Sequence, residues 1–306
     1  MAYGIKKTRA DRVFDTVNVI IMVMLMIMML YPMYFVVIAS VSEPKFVAQG
    51  QVTLYPRGFT WDSYRYVFKN NEIWIGYRNT ILYTVLGTLR QLLMVLPAAY
   101  AMSKREMPGR KWIALALTIP MYFNGGIVPT YLQVRDLKLL NSFWTLIVLG
   151  GVGISRLIVA RNYFETSIPA EIYESARIDG ASDFVCFFSI ALPLAKPIIA
   201  VITLYFAVDR WNAFFEAMIY LTNSSLYPLQ LILRNILIES QNALAAAISD
   251  MFAGSADIVE AAARQAYIAE GMKYALIFIS AAPLLIAYPF VQKFFVTGTM
   301  EGSVKG

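Results

Sequence analysis

Ser167-Ile-Pro-Ala-Glu171-Ile-Tyr-Glu174-Ser175-Ala176-Arg-Ile-Asp179-Gly180-Ala181-Ser182-Asp-Phe184, followed by Ile190-Ala-Leu-Pro193, is a hydrophilic break between two strongly apolar segments. Pro169 suits a helix start because its missing N–H costs nothing in a first turn, and Glu171 sets negative charge against the positive end of the helix dipole. The helix is predicted to stop near Gly180, the residue that most readily permits a sharp reversal. Ser182 can then cap a second short helix running into Phe184, Phe187 and Phe188. Two short helices about a glycine make a compact knob. Such a knob suits a socket in another protein, and it is also a common loop arrangement.

The composition sets the class. Of 306 residues, 58% are hydrophobic and only 15% charged, with a mean hydropathy of +0.57, more apolar than soluble globular chains usually are. Thr16 to Ser42 carries no charge and exceeds the ~20 residues that cross a hydrocarbon core. It is too long for a signal-peptide core and has no small-residue cleavage site before Glu43, so it reads as a retained anchor. Further spans are predicted at Tyr77–Met102, Trp112–Leu132, Ser142–Phe164, Lys196–Tyr220 and Lys273–Phe295, giving an all-α polytopic membrane protein with six transmembrane helices. The organisation expected is an N-terminus at 1–12, a first transmembrane helix at 13–42, an extracytoplasmic segment at 43–76, a five-helix core at 77–295 and a tail at 296–306. The core contains the knob loop at 165–193 and a second extracytoplasmic segment at 221–272.

Basic residues orient the spans, because cytoplasmic loops retain Lys and Arg. Lys6, Lys7, Arg9 and Arg12 precede the first span, and Lys104, Arg105, Arg110 and Lys111 fill the loop after the second. Both termini and the knob loop are therefore expected on the cytoplasmic side. The opposite side also carries Lys45, Arg57, Arg65, Lys69 and Arg78, diluted by Glu43, Asp62 and Glu72. The net charge of +6 follows from this topology and does not indicate nucleic-acid binding. The lone Cys186 and the absence of His exclude an internal disulfide and the usual metal-ligand combinations. No phosphate loop and no Gly-x-Ser-x-Gly elbow are present, and the chain does not divide into matched repeats as many secondary transporters do. No cofactor is expected in this chain. If it transports, the energy must come from a bound subunit.

Glu174-Ser175-Ala176, then Gly180, resembles the EAA loop of permease subunits in ATP-binding-cassette importers, with serine in place of the first alanine. Phe123-Asn-Gly125-Gly126-Ile-Val-Pro129-Thr-Tyr131-Leu, Trp211-Asn212-Ala-Phe214-Phe215, Tyr227-Pro228-Leu-Gln230, Tyr288-Pro289-Phe-Val-Gln292-Lys293-Phe-Phe and the closing Gly302-Ser-Val-Lys305-Gly306 are similar to segments of the maltose-permease superfamily. Within it they resemble the carbohydrate permeases of polygalacturonate, alginate and related oligosaccharide uptake. The resemblance implies a type I importer permease in a bacterial cell membrane, paired with a sister permease, two cytosolic ATPase subunits that carry ATP and Mg, and an extracytoplasmic solute-binding protein. It implies ATPase coupling through Glu171, Glu174, Ser175, Ala176, Asp179, Gly180 and Ala181. Glu174 would be the charged contact, and Ala176 and Gly180 would permit close approach. Two outer stretches, 43–76 and 221–272, are long enough to meet the delivery protein or to cover the helix ends. The first contains Phe59–Phe68, which resembles a pre-span helix of the family, and the second an Ala-rich stretch, Ala243–Tyr267, that is expected to be helical.

Pro120, Gly125, Gly126 and Pro129 predict a bent or interrupted third span, next to a cavity or simply kinked. In the fifth span Asp209, Asn212, Glu216 and Tyr220 fall at i, i+3, i+7 and i+11 and so on one helical face. Ionisable groups at membrane depth cost about 2.5–3.5 kcal/mol each on insertion scales and face a bundle interior or water. Sugars bind through hydroxyl hydrogen bonds and aromatic faces, so Asn124, Tyr205, Asp209, Trp211, Asn212, Phe215, Glu216 and Tyr220 form a candidate substrate pathway. The competing reading is a buried network in which Asp209 and Glu216 pair with Arg90 or with an arginine of a partner subunit. Arg156 is expected to snorkel toward the cytoplasmic surface. An ion-coupled carrier and a membrane-embedded enzyme are the alternatives from other classes. Each would act without an ATPase.

Overall fold

The computed structural model describes residues 8–123, 125–251, 267, 271–289 and 292. Every regular element among the described residues is helical. The chain forms two compact units, one of residues 1–70 with 236–280 and one of residues 71–235 with 281–306.

In the first unit α1 (Arg9–Ser40) opens on a capping box. The Thr8 hydroxyl accepts from the Asp11 N–H, and the Asp11 carboxylate accepts from the Thr8 N–H at 2.8 Å, which satisfies donors that a helix start leaves open. Its most apolar 18-residue window has no buried position. A helix apolar on all sides and uncovered by protein fits a hydrocarbon surround. Its end is different, for Ile38 and Ala39 pack with Val47 of α2 (Pro44–Ala48), with Val52 and with Tyr274. The predicted pre-span stretch, Phe59–Phe68, is overlapped by α3 (Asp62–Lys69).

The second unit is built around α4 (Asn71–Ser103), 33 residues without a break. The third predicted span is interrupted as expected, into α5 (Arg110–Tyr122) and α6 (Ile127–Asp136), bent by 113°. Gly126, at φ 86°, opens α6. Asn124 lies outside the described residues.

The fourth span corrects the sequence reading. It is not one helix over Ser142–Phe164 but α7 (Phe143–Val148) and α8 (Ile154–Thr166). Between them Gly150, Gly151 and Gly153 take φ of 87°, 56° and 67°, left-handed conformations that glycine adopts freely and other residues do not. Next come α9 (Ala170–Ile178), α10 (Asp183–Val185), a π-helical turn over Cys186–Ala191 and α11 (Leu192–Leu194). The fifth span needs the same correction. It is α12 (Lys196–Trp211), a break at 212–214, and α13 (Phe215–Tyr220). Then follow α14 (Leu229–Met251) and α15 (Gly271–Pro289). Of the expected Ala-rich helix only residues 243–251 and 267 are described, and the tail at 296–306 lies outside the described residues.

Among the described residues three helices, α1, α4 and α15, are long and apolar enough to cross a membrane unbroken, and two bent pairs raise the number to five. The remaining predicted span is α7 with α8, and its glycine break leaves neither half long enough. Within the second unit α4 packs against α8 and α12. The core here includes Val95, Ala99, Leu157, Phe164, Ile202 and Phe206.

One buried cation holds the broken span in place. Arg210 of α12 is 7% exposed. It donates from Nη1 to the Leu146 carbonyl at 2.8 Å and from Nη2 to the Leu149 carbonyl, two acceptors that the end of α7 leaves open. A Cβ on Gly150 would fall inside this guanidinium, and one on Gly87 of α4 would come within 3.2 Å of its side chain. We expect Gly150→Ala to destabilise the protein by about 1–3 kcal/mol, the scale of a forced left-handed residue. Arg210→Leu should cost about 3–5 kcal/mol, as when a buried charged partner is removed. Thermal unfolding of the detergent-solubilised protein measures both.

Candidate functional site

The knob forms where the sequence places it. Pro169 is the residue before α9, one position earlier than the first helical turn. Asp179 ends the helix, Gly180 reverses the chain at φ 84°, and the Ser182 hydroxyl accepts from the Val185 N–H. No atom lies within 4 Å of the Cβ that Gly180 lacks, so the glycine serves backbone conformation and leaves open space beside the reversal. Glu171, Glu174, Ser175, Asp179 and Gly180 are exposed, while Ala176 and Ala181 are half-buried and pack against the core.

The same surface shows two residues that the motif does not include. Ile178 is 87% exposed and Phe184 is 78% exposed, one on each side of Gly180. Large apolar side chains in so polar a loop are the type that anchors a protein interface. An isoleucine two residues before the stopping glycine was the available signal for the first.

The inward side of the knob is held by the loop after α4. Tyr173, 7% exposed, turns into the core. Its ring centroid lies 6.0 Å from that of Tyr100, which also meets Phe164 at 5.9 Å and Phe187 at 5.1 Å. Arg177 bridges Glu106 at 3.0 Å and Asp183 at 3.5 Å, and its bond to Glu106 raises its pKa further. Lys104 lies over the Tyr173 ring. Burial, and then the charge of Arg177, hold its ammonium below the ordinary lysine pKa. Burial pushes the Tyr173 phenol up to about 12. Nearby, Glu165 at the end of α8 collects Arg110 at 2.7 Å, Arg161 at 3.3 Å and Arg105 at 3.8 Å. Partial burial opposes its ionised form, but the hydrogen bonds and charges of Arg110 and Arg161 prevail and hold its pKa below 4.5.

The candidate pathway residues are not one stripe, because the break at 212–214 ends α12 before Glu216. Tyr205, Asp209 and Asn212 share an exposed face of α12 and its end. Trp211 is buried, its ring meeting Tyr77 edge-on at 6.3 Å. On α13, Phe215 is exposed and Glu216 half-buried. Tyr220 is buried and stacks on Tyr131, centroids 6.1 Å apart. The ion pairs also differ from those anticipated. Asp209 pairs with Arg156, whose guanidinium also lies 5.5 Å from the Phe206 ring centroid. Glu216 faces Arg210 at 3.6 Å. Arg90 donates to the Gly151 carbonyl at 2.9 Å. The polar groups thus collect at the helix breaks, where freed backbone carbonyls need donors.

A family model described as "Binding-protein-dependent transport system inner membrane component" matches residues 73–299. The chain belongs to this family. Protein LplC of Bacillus subtilis (strain 168) is 37% identical to it over 299 residues, which are 98% of this chain and 97% of that protein. The polygalacturonan/rhamnogalacturonan transport system permease protein YtcP of the same organism is 35% identical over 97% of this chain and 99% of its own length. Among solved structures, a bacterial ABC transporter involved in the import of the acidic polysaccharide alginate contains a chain 34% identical to this permease. It superposes with a TM-score of 0.82, covering 94% of this chain and 99% of that one. The fold is therefore that of a type I ABC importer permease, and the protein is a transport subunit of a membrane system.

The lowered pKa of Glu165 has a pH consequence for the loop side of the permease. A carboxylate with a depressed folded pKa contributes stability that is fully present above the unfolded value, here 4.5, and is lost as the pH falls through the lower folded one. Unfolding midpoints measured from pH 7 down to pH 3 should fall more steeply in the wild type than in Glu165→Gln.

Proposed function

We propose that this permease is one half of the membrane pathway of an ATP-driven oligosaccharide importer, with a sister permease forming the other half. A solute-binding protein delivers the sugar on the outer face, and two cytosolic ATPase subunits each grip the knob of one permease. Both termini are then cytoplasmic, and this chain contributes no catalytic residue, metal or nucleotide site of its own. Closure of the ATPases moves the knobs, and alternating access results from rigid-body rearrangement of the helices. The observation that carries the reading is the knob. It places Glu171, Glu174 and Ser175 on one exposed helix, Gly180 reverses the chain with open space beside it, and Ile178 and Phe184 project on either side. An apolar pair inside a ring of polar groups is the usual anatomy of a binding hot spot.

The oligosaccharide class rests on the relatives, several of which are named for such substrates, among them the arabinooligosaccharide permease AraQ of Halalkalibacterium halodurans. Tyr205, Asp209, Asn212 and Phe215 are the exposed members of the candidate pathway and combine hydroxyl-binding groups with an aromatic face. The Arg156–Asp209 pair leaves Asp209 54% exposed at its side chain, so the pair can still offer hydrogen bonds to a sugar. A solitary carrier or enzyme does not fit a chain of this family.

Substrate-stimulated ATP hydrolysis by the reconstituted complex tests the coupling role. Gly180→Asp, Ile178→Ser and Phe184→Ser are each expected to lower stimulation by about tenfold, the effect of losing one interface anchor of ~1.4 kcal/mol. The isolated ATPase should be unaffected. Glu174→Ala should cost less, because exposed charged contacts at an interface rim contribute little.

A further inference from the structure

The inward side of the knob contains a contact that neither the motif nor the family assignment accounts for. Lys104 immediately follows the last residue of α4, and Tyr100 lies one turn earlier. The Lys104 ammonium is 3.0 Å from the Tyr173 ring centroid and 4.6 Å from the Tyr100 ring centroid. The two neighbouring carboxylates, Glu106 and Asp183, are both taken by Arg177, and among the described residues Lys104 makes no ion pair. Its charge is therefore met by the two aromatic faces. Neither tyrosine is oriented by its hydroxyl, because both phenol oxygens are buried without a hydrogen-bond partner. Beside this contact lies an open cavity of about 480 Å³, lined in part by Pro97, Met107, Phe184 and Phe187. Ring packing alone would leave α9 free to slide along the end of α4.

We propose that Lys104 is a positioning residue for coupling. Its ammonium clamps the rings of Tyr173 and Tyr100, fastening α9 to the end of α4 so that displacement of the knob moves α4 instead of slipping past it. The clamp rests on the coupling role proposed above, and it requires a cation at 104 and an aromatic ring at 173 but no hydroxyl. Arginine satisfies the first requirement and phenylalanine the second.

The test is substrate transported per ATP hydrolysed, measured in proteoliposomes containing the whole complex. Lys104→Met and Tyr173→Leu should hydrolyse ATP while moving about tenfold less substrate per ATP, within the usual range of coupling between two sites. Lys104→Arg and Tyr173→Phe should stay within about twofold of the wild type, since cation and π face are both retained. A wild-type ratio in Lys104→Met would overturn the clamp, and so would an Arg variant as impaired as the Met variant. Should Lys104→Met fail to assemble, the Tyr173 pair decides. Equal ratios in Tyr173→Leu and Tyr173→Phe would overturn the clamp, and a loss confined to Leu would support it. A wild-type complex without substrate-stimulated hydrolysis would instead overturn the importer reading, and the clamp with it.

Discussion

A helix that breaks inside a membrane must find donors for the carbonyls it frees, since no water is there to supply them. This constraint governs the second unit. Three of its predicted spans are interrupted, and the break between α7 and α8 is answered by the buried guanidinium of Arg210 and by Arg90. A guanidinium suits the task because it offers five donors in a fixed fork and remains charged. The glycines follow from it. Gly150 and Gly87 leave the room that the Arg210 side chain occupies, so a cation on α12 dictates residue size on α4 and in the α7–α8 break. The acidic residues of the region are placed by the same logic, with Glu216 facing Arg210 and Asp209 facing Arg156.

The apolar runs, the knob and the interruption of the third span were legible in the sequence because each depends on residues close together in the chain. Ser182 capping, the Gly180 reversal and the Pro120–Pro129 interruption are all local effects. The breaks of the fourth and fifth spans escaped for different reasons. Gly150, Gly151 and Gly153 are visible, but a hydropathy average counts glycine as neutral and runs straight through them. The stop at Asn212–Phe214 carries no glycine or proline at all, so a periodicity drawn across it placed Glu216 on a helix face that does not exist. The ion pairs were hidden by separation. Arg156 and Asp209 stand 53 positions apart, and Arg177 meets Glu106 across 71. Charge counting along one helix cannot find such partners.

On the loop side the division of labour is between an outer and an inner face of one short helix. The outward residues of α9 are exposed and mostly polar, with Ile178 the main apolar exception, and Arg177 ties them to Glu106 and Asp183. The inward residue Tyr173 joins a cluster in which Tyr100 touches Phe164 of α8 and Phe187 of the π-helical turn. Tyr100 meets Phe164 edge to face and Tyr173 and Phe187 at tilted angles, geometries that aromatic pairs prefer. A nine-residue helix, too short to be stable alone, depends on this packing for its place against the bundle.

The place of α9 matters because of what the helix it packs against reaches at its other end. In the second unit α4 runs unbroken from the carbonyls it meets near its start, past the α7–α8 break, to the knob. Near its start Asn79 donates to the Ser225 and Tyr227 carbonyls, and Thr80 accepts from the Leu229 N–H. At its middle Gly87 and Arg90 meet Arg210 and Gly151. At its end Tyr100 and the following Lys104 hold the knob. A helix of 33 residues is about 50 Å long at 1.5 Å per residue, enough to cross the hydrocarbon core in one piece. The neighbouring spans are broken at the level of the polar cluster, so a push on the knob carried along them would be absorbed in turning their breaks. In the proposed coupling, a push carried along α4 would arrive at the polar cluster as a displacement of Gly87 and Arg90 against the carbonyls and guanidinium that line the α7–α8 break.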